Sequence, residues 1–302
     1  MASAREMLLR MRSVNNISQV TRALEAVSAS KVRQSQQSVQ ASRDYSSRVL
    51  QVLHRLAPQD GSQQLHPLLT GRESITKIEL LLITSDRGLA GAYNMNITRL
   101  ALDFSRQSTV PVQWVTLGHK GRDLAHRSGA VISADFANFR RSPRFADVTP
   151  IARTLLDDFL SGAVDEVYLA YTDFVNTLRQ VPQVTRLLPL APPKGDDETD
   201  SGLDPGDARE NNFSYIYEPE PVELLEAILP RFTQVQVYQA TLEALASEHS
   251  ARMIAMRNAT DNANELSNGL RLAYNKARQL AVTSDLLDIA GGAEALQGAL
   301  AQ

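Results

Sequence analysis

The sequence predicts an α/β domain of largely parallel sheet, inserted between two long terminal helices that pair as an antiparallel coiled coil. Three observations carry that prediction. After Pro230 no proline occurs, and no glycine falls between Gly206 and Gly269, so nothing breaks a helix over most of residues 219–302. Residues 3–57 likewise contain neither Gly nor Pro, and Pro58 follows as a stop. Between the two stretches, short apolar runs alternate with helical patterns, the signature of strands crossing over through helices.

The first helix spans residues 1–57. Met7, Met11, Val14, Ile17, Val20, Leu24 and Val27 trace a drifting apolar stripe, which thins to Val32 and Val39 among Ser, Gln and Ala. Nine basic residues from Arg5 to Arg55 outnumber Glu6, Glu25 and Asp44 there. Such a helix could grip nucleic acid, but its cations are spread around the circumference and Tyr45 is its only aromatic residue. A solvated face, or attraction to acidic loops of a protein partner, fits better.

A polar link from Pro58 to Gly71 leads into the central domain, which spans residues 75–218. Strands are expected at 77–84, 112–117, 131–136, 164–171 and 184–190, with helices from the loop after the first strand to about 107, then at 120–128 and 147–160. The loop Ser85-Asp86-Arg87-Gly88-Leu89-Ala90-Gly91 occupies the place where α/β folds bind phosphates. Its glycines match neither a dinucleotide fingerprint nor a P-loop, so it reads as a structural turn. The domain ends in a loop, 194–210, rich in Asp and Glu and read as mobile.

The second helix, residues 219–302, carries apolar or small residues at alternating steps of three and four: Met253, Met256, Ala259, Ala263, Leu266, Leu270, Ala273, Ala277 and Leu280. That rhythm is a coiled-coil seam, and the helix would be roughly 110 Å long. If the first helix pairs with it antiparallel, about the last 25 residues have no companion. Yet Leu280, Val282, Leu286, Leu287, Ile289 and Leu296 make this tip apolar on most of its circumference. A helix of that kind is buried in something, and no other segment remains to cover it, so a partner must supply a sleeve.

Composition narrows the chemistry. The chain of 302 residues has no cysteine, which excludes disulfides, thiolate metal sites and Cys nucleophiles. Its five histidines are scattered, Asp157 and Asp158 read as a polar helix face, and no repeat is found. No catalytic, cofactor or metal residues are assigned. No apolar run approaches a membrane span, so the chain reads as soluble and intracellular.

Several polar strings nonetheless carry a resemblance. Met11-Arg12-Ser13-Val14-Asn15-Asn16 with Ser30-Lys31 and Arg33, the Ser85 to Gly91 loop, Ser247-Glu248-His249, Asn258-Ala259-Thr260-Asp261-Asn262-Ala263 and Tyr274-Asn275-Lys276-Ala277-Arg278-Gln279 are similar to the gamma subunit of F-type ATP synthases. The resemblance runs from end to end. It departs at Leu24, Ala90 and Asp285, where the family usually has Met, Cys and Glu. The cysteine-bearing insert of the redox-regulated plant form is absent.

The resemblance implies a non-catalytic rotor shaft inside a ring of three α and three β subunits. Its foot would rest on the epsilon subunit and the membrane c-ring, and proton-driven rotation would drive the β catalytic sites through their states. It implies ring contacts at Lys31, Arg33, Arg278, Gln279, Thr283, Leu286 and Leu287, and foot contacts at Tyr215 and Glu218. No cofactor and no nucleic acid are implied, and the membrane is reached only through the rotor, at the cytoplasmic face of a bacterial cell. Two alternatives rest on the residues alone. One is a ligand-binding α/β enzyme with helical oligomerisation arms, the other a coiled-coil nucleic-acid binder.

Overall fold

The computed structural model of the chain describes residues 4–56, 66–72, 74–137, 143–190 and 221–300. The long helices are α1 (Ala4–Leu56) and α5 (Pro221–Leu300). Between them run β1 (Ile78–Ile83), α2 (Tyr93–Gln107), β2 (Val112–Leu117), α3 (His119–Arg127), β3 (Val131–Phe136), α4 (Phe145–Leu160), β4 (Glu166–Phe174) and β5 (Gln180–Leu188). The chain divides into two compact units, Met1–Ala29 with Arg252–Gln302, and Ser30–Ala251. The acidic loop 194–210, Tyr215 and Glu218 lie outside the described residues.

The larger unit is built on a five-stranded sheet in the order β3-β2-β1-β4-β5. β1 pairs in parallel with both β2 and β4, β2 with β3 likewise, and only β4 and β5 are antiparallel. All six residues of β1 are buried, as a central parallel strand covered on both faces requires. On one face Leu80, Leu82 and Trp114 pack against Ile97 of α2 and Ala125 of α3. On the other, Leu81, Ile83 and Val115 meet Ile151, Leu155 and Phe159 of α4 and Leu229 and Phe232 of α5.

Strands β1 to β3 fall within a residue of their expected places. The last two do not. β4 continues to Phe174 rather than stopping at residue 171, and β5 begins at Gln180 rather than 184, so the two form one long hairpin. Pro182 sits opposite Thr172 within the ladder. An edge strand such as β5 tolerates proline, because one of its sides has no partner strand.

In the smaller unit, α1 and α5 run antiparallel. Ser267 Oγ donates to Asn15 Oδ1 at 2.6 Å, Ser18 Oγ to Asn264 Oδ1 at 2.7 Å, and the Thr21 and Thr260 hydroxyls lie 2.7 Å apart. The inward positions include Met7, Met11, Val14, Ser18, Thr21, Leu24 and Ser28 on α1, and Met253, Met256, Thr260, Ala263, Ser267, Leu270, Ala273 and Ala277 on α5. This corrects the expected seam. Ile17, Val20 and Val27 on α1, and Leu266 and Leu280 on α5, are each more than half exposed. The heptad rhythm is kept, but hydroxyls occupy many of its inward positions, and apolar residues one place away point about 100° aside.

Candidate functional site

The three hydrogen-bonded pairs across the smaller unit fix its register: their residue numbers sum to 281 or 282. Ala4, the first described residue of α1, therefore faces α5 at residue 277 or 278, and the helix beyond has no antiparallel companion among the described residues. Every residue from Arg278 to Ala293 is exposed. Among them Leu280, Val282, Leu286, Leu287 and Ile289 each leave more than half of their surface in water.

At about 100° per residue, these five side chains share an arc of about 200° with Ala290, Arg278, Gln279 and Thr283. The opposite arc is small or acidic, with Ser284, Asp285, Asp288, Gly291 and Gly292. Covering the apolar arc would release on the order of 1 kcal/mol for each large side chain. The Thr283 hydroxyl is turned back onto the carbonyl of Gln279 at 2.9 Å, so its methyl group faces outward with the leucines. Five of the seven expected ring-contact residues thus sit on one exposed surface: Arg278, Gln279, Thr283, Leu286 and Leu287.

Lys31 and Arg33 belong to the other unit. Arg33 is exposed and Lys31 half-buried on the flank of α1. Ten residues past Arg33, Arg43 joins three elements of that unit. Its Nε donates to Glu243 Oε1 of α5 at 3.0 Å, and its terminal nitrogen donates to Asp173 Oδ1 and the Phe174 carbonyl of β4 at 3.1 and 3.2 Å. Burial pushes the Glu243 carboxyl up, opposed by its hydrogen bonds from Gln239 and Arg43. The sequence marked Arg43 only as one basic residue among nine.

The crevice at the carboxyl ends of β1 and β2 is filled from within. Strand order reverses between β1 and β4, the position at which open α/β sheets bind ligands, and the loop after β1 borders it. Here the Asp86 carboxylate accepts the backbone N–H of His119 at 3.2 Å, so the N-terminus of α3 already holds an anion. Asn94 Oδ1 accepts the Ser85 N–H at 3.0 Å. Gly118 adopts φ 103°, and a Cβ there would lie 2.4 Å from the Thr84 carbonyl oxygen. Thr84 Oγ1 in turn accepts the Gly121 N–H at 2.8 Å. Strand end, loop and helix start are locked together by side chains where a phosphate would otherwise sit.

Two buried carboxylates escaped sequence reasoning. Glu79 lies within the apolar run of β1 and is fully buried. Burial, followed by repulsion from Asp158, pushes it up to about 8, so it holds its proton at neutral pH. A lone Glu in a strand that is otherwise Ile and Leu was the available signal. Asp165, at the entry to β4, accepts Thr76 N and Oγ1 at 2.6 Å each, Lys77 N at 3.1 Å and Arg72 at 2.6 Å. The Thr76 hydroxyl and backbone, followed by Arg72, hold it well below the usual carboxylate range. Among the described residues, no cluster of three or more His, Asp or Glu is placed to hold a metal.

Two long helices with an α/β domain spliced between them, one helix ending in a bare apolar arc, define a scaffold protein built to be received by a larger partner. A sequence profile described as ATP synthase matches residues 3–296. The chain is 46% identical over 298 residues to the ATP synthase gamma chain of Dehalococcoides mccartyi (strain CBDB1), covering 98% of this chain and 100% of that one. To the gamma chain of Roseiflexus castenholzii it is 44% identical, with 98% and 99% covered. Among solved structures, it is similar to chains of the Euglena gracilis mitochondrial ATP synthase. One, from the OSCP/F1/c-ring assembly, has TM-score 0.66 at 18% identity with 98% and 95% covered. Another, from the rotor, has TM-score 0.64 at 18% identity with 92% and 98% covered. The chain belongs to the ATP synthase gamma chain family.

Proposed function

We propose that this chain is the central rotor shaft of a proton-translocating ATP synthase. Its bare α5 tip turns inside a ring of three α and three β subunits. Its other end bears on the epsilon subunit and the membrane c-ring, which brings Tyr215 and Glu218 to the foot. The observation that carries this reading is the exposed apolar arc of residues 278–293, which has no covering segment among the described residues. Gamma chains of the same length support it, and so do solved relatives described as rotor and as F1 with c-ring.

The chain has no catalytic site of its own in this reading. The crevice at the end of β1 is occupied by Asp86, Asn94 and Thr84 in place of a substrate. Coupling is conformational. The tip is two-sided, apolar and basic over one arc, small and acidic over the other, so each orientation presents a different face to each β subunit and favours a different nucleotide state of it. No helix among the described residues is long and apolar enough to cross a membrane. Attachment through the c-ring makes the chain a peripheral subunit of a membrane complex, at the cytoplasmic face of a bacterial cell.

Arg278, Gln279, Thr283, Leu286 and Leu287 form the ring-facing set, with Lys31 and Arg33 as further contacts on α1. The test is Arg278→Ala combined with Gln279→Ala in the assembled complex. Proton-driven ATP synthesis should fall while the complex keeps its composition and the chain its helical content. Unchanged synthesis would overturn the assignment of these two residues.

A further inference from the structure

Within the larger unit, the end of β4 meets both long helices through a small apolar cluster: Val39 of α1, Phe174 of β4, and Leu242 and Ala246 of α5. Burying these side chains draws the three elements together, but the hydrophobic effect is non-directional and sets no angle between them. Direction comes from Arg43, one helical turn beyond Val39 on α1. Its Nε donates to Glu243 Oε1 of α5 at 3.0 Å, and its terminal nitrogen donates to Asp173 Oδ1 at 3.1 Å and to the Phe174 carbonyl at 3.2 Å.

The acceptors are themselves held in place. Glu243 is buried and also accepts Gln239 Nε2 at 3.2 Å. Asp173 and Phe174 sit in the β4–β5 ladder, opposite Val181 and Gln180. A guanidinium is a rigid planar fork, so acceptors on α5 and on β4 together fix the orientation of α1 against both. The stability this adds is modest by comparison. The Arg43 side chain is 41% exposed, and a partly solvated ion pair contributes little. Burial already pushes the Glu243 carboxyl up, so without Arg43 it takes a proton instead of standing as a buried charge. Losing the fork therefore removes a constraint more than it removes stability.

We propose that Arg43 is a positioning residue for rotation: it locks the α/β domain to both long helices, so that a twist applied to the domain carries α1 and α5 with it. This rests on the shaft reading above and deepens it, assigning part of the transmission to one side chain. Helices that slide against the domain under load would lose turns between the membrane rotor and the ring. The lock matters only when rotation is opposed.

The test uses the assembled full complex in proteoliposomes, with protons pumped per ATP hydrolysed measured without and with a large opposing proton gradient. Arg43→Lys keeps the charge and discards the fork. Without the gradient it should match the unaltered complex. Against the gradient its ratio should fall at least about twofold while hydrolysis continues. Val39→Ala is the control, because it removes buried volume from the adjoining cluster and leaves every acceptor of Arg43 in place. It should keep the full ratio in both conditions. A ratio for Arg43→Lys that is unchanged under load overturns the proposal. An equal loss in Val39→Ala, or a loss already present without the gradient, overturns it too, by assigning the effect to general destabilisation. If Arg43→Lys fails to enter the complex, the residue serves folding and the proposal falls. The shaft reading fails separately, through an unaltered ratio in a complex assembled without this chain.

Discussion

The hydroxyls of Thr21 and Thr260 meet at 2.7 Å across the two helices of the smaller unit, buried where a coiled coil ordinarily places leucine or valine. Each hydroxyl is also within reach of a carbonyl on its own helix, Ser18 O at 3.1 Å and Met256 O at 2.9 Å. One proton apiece serves three contacts, so one carbonyl interaction is forgone whenever the cross-helix bond forms. The pair specifies register more than it adds strength. A double-mutant cycle of Thr21→Val and Thr260→Val, followed by urea denaturation, should give a coupling of about 1 kcal/mol, with the double variant close to wild type in stability. A coupling indistinguishable from zero would mean that the hydroxyls are merely adjacent.

Glu79 should make the central domain less stable as pH rises. Its carboxyl titrates near 4.5 when unfolded and is pushed up to about 8 when folded. Between those values the folded chain holds a proton that the unfolded chain has released, so stability is greatest below the lower value. It is lost progressively up to the higher one, at a rate approaching about 1.4 kcal/mol per pH unit from this group. Urea midpoints at pH 5, 6.5 and 8 should fall in that order, and Glu79→Gln should flatten the trend. A trend unchanged by Glu79→Gln would assign it to other groups.

Asp165 should act in the opposite sense. Its folded carboxyl is held below the ordinary range by Thr76 and Arg72, so its contribution is present above about pH 4 and disappears as acid protonates the folded form. Asp165→Asn should cost on the order of 2–4 kcal/mol at pH 7, since it leaves the Arg72 guanidinium and the Thr76 donors short of a charged acceptor. The cost should shrink in acid, which thermal melts of the two chains at pH 7 and pH 3.5 would compare.

The tip should separate stability from assembly. Leu286→Asn with Leu287→Asn replaces side chains already 62% and 67% exposed. Denaturation of the free chain should shift by no more than about 0.5 kcal/mol, as is usual for surface positions. Binding to the ring should weaken at least about tenfold, as buried apolar anchors require. A loss of stability in the free chain would show that the leucines already pack against part of it.

The unequal legibility of the sequence has physical causes. The two long helices were plain because Gly and Pro are missing, and β1 to β3 because branched and aliphatic residues run between turn residues. The phase of the coiled coil was not. A search for apolar periodicity selects Ile17, Val20 and Val27, whereas the structure turns Ser18, Thr21 and Ser28 inward. Small hydroxyls permit close helix approach, which hydropathy does not register. The start of β5 at Gln180 lies two residues before Pro182, whose tolerance depends on being at a sheet edge, a tertiary fact. In the candidate site, Arg278, Gln279 and Thr283 are proposed through family resemblance alone, since nothing in their spacing distinguishes them from a solvated helix face.

The register of the small unit also works as a ruler. Because Asn15 is matched to Ser267 and Thr21 to Thr260, the start of α1 marks a shoulder on α5, and the length of bare helix past that shoulder is written into the difference between the two helices. Removing four residues from the start of α1 would move the shoulder back by about 6 Å without touching a tip residue. The reach of the bare helix can therefore be changed at the amino terminus alone, with every tip residue unchanged in identity.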